Sequence, residues 1–161
     1  MTDQDLKIFA TIRQLFTEAG IPCAIAQDIK KQMWLKFLVN CSYNGISAIG
    51  GISNGDMVAF LEVRNLIDQI TKEFLLIAHK EGVGISECEA REANESIAKT
   101  MATQISSTAQ DLGKGRETEI NYWNGYIVAL GKRYGIEMLC KLSVCAMVKL
   151  LESQIQSSAL D

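Results

Sequence analysis

The apolar positions of this chain recur at helical spacing almost from end to end. Leu6, Phe9, Ile12, Leu15 and Phe16 fall on one face of a helix from about Thr2 to Ala19, which Gly20 ends and Pro22 keeps from continuing. Asp28 is a good N-cap for a second helix that runs to Gly50-Gly51. Asn54-Gly55-Asp56 opens a third, carried by Leu61, Val63, Ile67, Ile70, Phe74 and Ile77 and closed by Gly82-Val83-Gly84. Ser86-Glu87-Cys88-Glu89 has capping-box spacing and predicts a long fourth helix that fades at Gly113-Lys114-Gly115. A fifth runs from about Thr118 to Tyr134, ahead of Gly135, and a sixth from about Met138 to Gln156. Runs of β-branched residues bounded by turns are missing, as are repeats and linkers. The pattern predicts one all-α domain over residues 1–161.

The second helix interrupts its own apolar pattern. Lys36, Asn40 and Asn44 stand four residues apart within Trp34–Ile49. At about 100° per residue, Asn40 lies about 40° and Asn44 about 80° around the axis from Lys36. Trp34, Phe37, Cys41 and Ala48 flank this stripe on one side, Val39 and Ile46 on the other. A lysine and two amides bordered by core residues need hydrogen-bond partners, which points to the wall of a binding site. Two plainer readings stand beside it. Asn44-Gly45 is also a turn signal, and Lys36 can snorkel to water along its stem.

Composition narrows the function classes. The chain has 161 residues, 48% hydrophobic, enough for one domain with a sizeable core. A net charge of −3, with no basic cluster, argues against nucleic acid as a partner. No apolar run reaches membrane-spanning length, and Met1-Thr2-Asp3-Gln4-Asp5 is acidic where a signal peptide is basic, so a cytoplasmic location is expected. The five cysteines (Cys23, Cys41, Cys88, Cys140 and Cys145) include no Cys-x-x-Cys pair, and His79 is the single histidine. Buried reduced thiols are expected, and no metal site. No Gly-x-Gly-x-x-Gly phosphate loop is present, so this chain does not hold a dinucleotide in the usual way.

A second polar cluster spans Ile105–Ile127, where Ser107, Asp111, Arg116 and Glu119 sit among apolar residues around a glycine-punctuated connection. Glu119 in a first helical turn is explained by the helix dipole alone. It could equally face Lys36 across a cleft and keep that lysine charged.

Both clusters match one pattern. Trp34-x-Lys36-x3-Asn40-x3-Asn44-x3-Ala48, followed by Ser107-x3-Asp111-x4-Arg116-x-Thr118-Glu119-Ile120-x-Tyr122-x2-Gly125, resembles the C-terminal half of ketopantoate reductases, the NADPH-dependent 2-dehydropantoate 2-reductases of pantothenate biosynthesis. Glu137-Met138-Leu139 departs from the family, whose members usually carry a proline there. The resemblance implies a helical domain similar to the C-terminal domain of 6-phosphogluconate dehydrogenase. An N-terminal Rossmann domain holding NADPH would precede it, and this chain lacks that half. It implies Lys36 as general acid, Glu119 as its anchor, and Asn40, Asn44 and Ser107 as binders of a 2-oxo acid, with Asp111 supporting the connection. It further leads us to expect an inactive isolated domain and a homodimer. Reduction of another 2-oxo acid, or a non-catalytic helical dimerisation module, are the alternatives.

Overall fold

The computed structural model describes residues 3–158. Among these there is no strand. Helix α1 spans Asp3–Glu18; the predicted start at Thr2 lies outside the described residues. Gly20, at φ 73°, ends it in the left-handed region, as expected of a glycine stop. The predicted second helix forms as one rod with a wide turn inside it: α2 (Ile29–Val39), a π turn (Asn40–Asn44) and α3 (Gly45–Gly50). The Asp28 side chain accepts from Lys31 N and caps the rod.

Two predicted helices are each broken in two. The third divides into α4 (Asn54–Met57) and α5 (Leu61–Lys80). Ser53 caps the short piece, and Arg64 Nη1 donates to the Val58 carbonyl at 2.8 Å across the break. The fourth stops at Thr100 as α6 (Glu87–Thr100) and resumes as α7 (Ser107–Gly113). No breaker residue marks Met101–Ser106; the interruption is tertiary. Asn54 N and Gly55 N donate to the carbonyls of Gln104 and Ala102 at 3.0 and 2.8 Å, fastening this connection to the start of α4. A Cβ at Gly55 would stand 3.0 Å from the Ala102 carbonyl, so only glycine admits that approach. A second π turn (Asn121–Gly125) then leads into α8 (Tyr126–Tyr134), and α9 (Leu139–Ser158) closes the chain.

Helix α5 is the central post. Its Phe74 is fully buried, with Trp34 and Phe37 packed edge-on at ring distances of 5.5 and 5.3 Å. Leu38, Cys41, Ile77 and Ile127 belong to the same cluster. Tyr43, Ile46, Met57, Ile70 and Val144 form a second beside it. The rod meets α9 very closely, since a Cβ at Gly45 would lie 2.3 Å from Val144 Cγ1. Gly45 is therefore a packing notch within a helix and not a turn residue.

Two expectations are corrected. Cys41 and Cys145 are buried, but Cys23 and Cys88 are exposed, because α6 turns Cys88 outward and Cys23 lies in the open segment after α1. Helix α1 also adds nothing to the core: every residue from Leu6 to Lys30 is exposed, Leu15 to 60%.

Candidate active site

The Lys36 stripe lines a cavity of about 860 Å³. Its walls include Lys36, Asn40 and Asn44 on the rod, Glu89, Glu92 and Ser96 on α6, and Ser107 and Gln110 on α7, with Asn54 of α4 and the 101–106 connection between them. The first π turn supplies both asparagines. Such a turn advances less per residue than an α turn, which rotates Asn44 back towards the line through Lys36 and Asn40. The stripe is thereby straighter than a regular helix would make it. Lys36 is exposed while Asn40 and Asn44 are half-buried, with buried Cys41, Ser42 and Tyr43 behind them.

A residue that the sequence did not single out holds this wall to α7. Ser106 Oγ donates to the Asn44 carbonyl at 3.1 Å and accepts from Ala109 N at 3.1 Å. The same hydroxyl thus caps α7 and ties it to the π turn. Ser106 N donates in turn to Ser47 Oγ at 3.2 Å, and Ser47 Oγ to the Ile52 carbonyl at 2.8 Å. Ser107 follows directly and reaches the cavity. An N-cap serine before a short helix was the available signal. Asn54, which also lines the cavity, is buried with Oδ1 unpartnered.

Charge in the cavity is divided. Glu89 pairs with Lys31 and also accepts from Ser86 N at 2.9 Å and Ser86 Oγ at 2.8 Å. Lys31 foremost, then the Ser86 donors, hold the Glu89 carboxyl well below its usual 4.5, at about 2. Lys36 makes no ion pair among the described residues, leaving its ammonium as a donor without a committed acceptor there.

Of the five expected site residues, Lys36, Asn40, Asn44 and Ser107 line one cavity. Glu119 does not join them. It is exposed, outside the cavity lining, and makes no ion pair with Lys36. Local bonding explains its place. Thr118 N and Oγ1 both donate to Glu152 Oε1, at 2.7 and 2.6 Å, pinning this turn to α9. The Glu119 carbonyl then takes Tyr122 N and Trp123 N as the second π turn begins. Asp111, expected to support the connection, does so: it pairs with Arg116, and its carbonyl accepts Arg116 N at 2.9 Å.

The model of the ketopantoate reductase PanE/ApbA C-terminal family matches residues 28–152. The chain belongs to this family. The 2-dehydropantoate 2-reductase of Vibrio cholerae is 31% identical over 142 residues, 88% of this chain and 47% of that protein. The enzyme of the same name from Pyrobaculum aerophilum is 28% identical over 148 residues, 92% of this chain and 53% of its own length. The chain thus spans about half the length of these curated relatives. Among solved structures, a PanE/ApbA family ketopantoate reductase from Ralstonia eutropha JMP134 superposes with a TM-score of 0.82 at 34% identity, covering 91% of this chain and 49% of that one. A D-mandelate dehydrogenase determined with NADH and anilino(oxo)acetate reaches 0.85 at 24% identity, over 97% of this chain and 65% of its own, a likeness of fold.

Proposed function

We propose that this chain is the substrate-binding and catalytic domain of an NADPH-dependent 2-dehydropantoate 2-reductase. The observation that carries the reading is the convergence of Lys36, Asn40, Asn44 and Ser107 on one cavity from segments some sixty residues apart. Its chemistry suits a 2-oxo acid. Asparagine amides and a serine hydroxyl donate to carboxylate and carbonyl oxygens without adding charge, and an uncommitted ammonium stands among them.

The described residues hold no strand leading to a glycine-rich helix start, so the phosphates of a dinucleotide find no cradle here. NADPH supplies the hydride and is held mainly by a preceding Rossmann domain. Two features support such a neighbour: the family match begins at residue 28, and α1 turns Leu6, Phe9, Ile12 and Phe16 to solvent upstream of it. We place the docking of that domain on this apolar face, which in the isolated chain also favours a homodimer.

In the reaction, Asn40, Asn44 and Ser107 fix the oxo acid by its oxygens and hold the ketone beside Lys36. The Lys36 ammonium hydrogen-bonds the ketone oxygen, stabilises the growing alkoxide and passes it a proton. Glu119 enters on the family spacing alone, as the residue that the resemblance makes the anchor of Lys36. Against a non-catalytic dimerisation module stands the uncommitted lysine set beside the neutral donors Asn40, Asn44 and Ser107 in one cavity. The test is NADPH oxidation by the full-length protein with 2-dehydropantoate, 2-oxobutanoate and phenylglyoxylate. A kcat/KM at least about tenfold higher for 2-dehydropantoate is expected. A preference for either other acid transfers the reading to that substrate, and no oxidation with any supports the non-catalytic dimerisation module.

A further inference from the structure

Helix α9 is apolar on both sides. Lys141, Val144, Cys145 and Val148 turn inward and are buried. On the opposite side Leu139, Leu142 and Leu150 are 62, 51 and 60% exposed, with Ser143, Ala146 and Ser153 between them. A surface helix ordinarily turns its charges to solvent. From Leu139 to Ile155 the charged residues are Lys141, which is buried, Glu152, which accepts from Thr118, and Lys149 at the edge of the outer face. About four turns of outward surface therefore carry leucine, alanine and serine and no central charge.

The serines do not make this face costly to cover. Ser143 Oγ donates to the Leu139 carbonyl and Ser153 Oγ to the Leu150 carbonyl, each at 2.8 Å, so both hydroxyls keep a partner when water is removed. The spacing is also self-complementary. A two-fold axis through Ala146, with the helices antiparallel, sets Leu142 of each copy against Leu150 of the other. The small Ala146 side chains meet on the axis and let the helices approach closely. Lys149 falls beside Ser143 of the other copy, so no like charges oppose each other. The preceding domain proposed above is a poor occupant. It docks on α1 and must reach the Lys36 cavity, which no residue of α9 lines. Gly45, which admits Val144, lies about 100° around the rod from Asn44, so α9 packs on another side of the rod with its outer face turned away.

We propose that the outer face of α9 is the interface of a two-fold dimer of this chain, two α9 helices packing antiparallel with Ala146 on the axis. Excluding the preceding domain as occupant rests on the reductase reading; the dimer itself does not. It is distinct from any association through α1, which the docked domain would cover.

Sedimentation equilibrium of the 161-residue chain should show a dimer with a Kd of about 1–100 µM, as suits an interface of one helix per copy. Ala146→Arg, at an exposed position, should leave a monomer up to about 500 µM with circular dichroism unchanged. Phe9→Arg, on the apolar face of α1, should leave the dimer in place. Cross-linking reads the axis directly. With the exposed thiols removed by Cys23→Ser and Cys88→Ser, Ala146→Cys should form a disulfide with its own counterpart under a mild oxidant. Leu139→Cys, about 21 Å from its counterpart along the helix, should not. A monomer at every concentration, a dimer that survives Ala146→Arg, a dimer lost in Phe9→Arg, or cross-linking through Leu139→Cys and not Ala146→Cys overturns the proposal.

Discussion

Lys141 is the residue that the sequence least prepared for. Its pattern position in α9 reads as an ordinary helix lysine, yet it is fully buried, Nζ has no hydrogen-bond partner among the described residues, and the ammonium lies 5.1 Å from the Phe74 ring centroid. Burial pushes its pKa below the ordinary 10.5, with Cys41 and Glu73 opposing. The same burial raises the Cys41 thiol to about 11. Because the unfolded chain binds the Lys141 proton more tightly, stability rises with pH up to about 10.5 as the native lysine sheds its charge. Lys141→Met should raise stability at pH 7 by at least about 1 kcal/mol and flatten that alkaline rise, read as urea midpoints from pH 7 to 10. A midpoint lowered by the substitution would show that the charge is accommodated.

Among the elements, α6 gives the sharpest account of a local rule. The predicted capping box at Ser86 and Glu89 forms in both directions, and Lys31 of α2 joins it by pairing with Glu89. Glu89, with its native pKa near 2 against an ordinary 4.5, contributes stability that is fully present above about 4.5 and is lost as pH falls towards 2. Glu89→Gln should therefore be less stable than the parent at pH 6, with the gap closing by pH 2 in acid denaturation followed by circular dichroism. A gap that persists at pH 2 would mean that packing, not charge, is what the substitution disturbs. Caps and stops of this kind were readable because they are local: Asp28, Gly20 and Ser86 act on residues three or four away. What the periodicity missed is non-local. The break at Met101–Ser106 goes with bonds between the start of α4 and the 102–104 backbone, the one at Val58–Phe60 is spanned by the bond from Arg64 to the Val58 carbonyl, and the π turns leave the apolar pattern unchanged. Asn40 and Asn44 were correctly grouped with Lys36, although the turn that aligns them was not foreseen.

For the whole molecule, the division lies at residue 28. Downstream, α5 contributes to two apolar clusters and a third forms between the rod, α7 and α9; upstream, α1 is helical but open on every side. Amide exchange should show this directly: α1 exchanging close to unprotected rates and α5 the slowest, with α1 gaining protection as protein concentration rises if its apolar face self-associates. Uniform protection of α1 and α5 at low concentration would contradict an unpacked first helix. Ser107 was placed by the resemblance and lies in the cavity. Glu119, which the same resemblance brought to Lys36, stands outside the cavity because Glu152 pins its turn to α9.

Lys36 remains the centre of the account, and full-length turnover tests it most directly. Lys36→Ala should cut the kcat for 2-dehydropantoate reduction by about 10²–10⁴-fold. Because Lys36 is exposed and makes no ion pair among the described residues, the variant's circular dichroism and denaturation midpoint should match the parent's. Turnover within a few-fold of the parent, with the fold intact, would contradict the assignment of Lys36 as the proton donor.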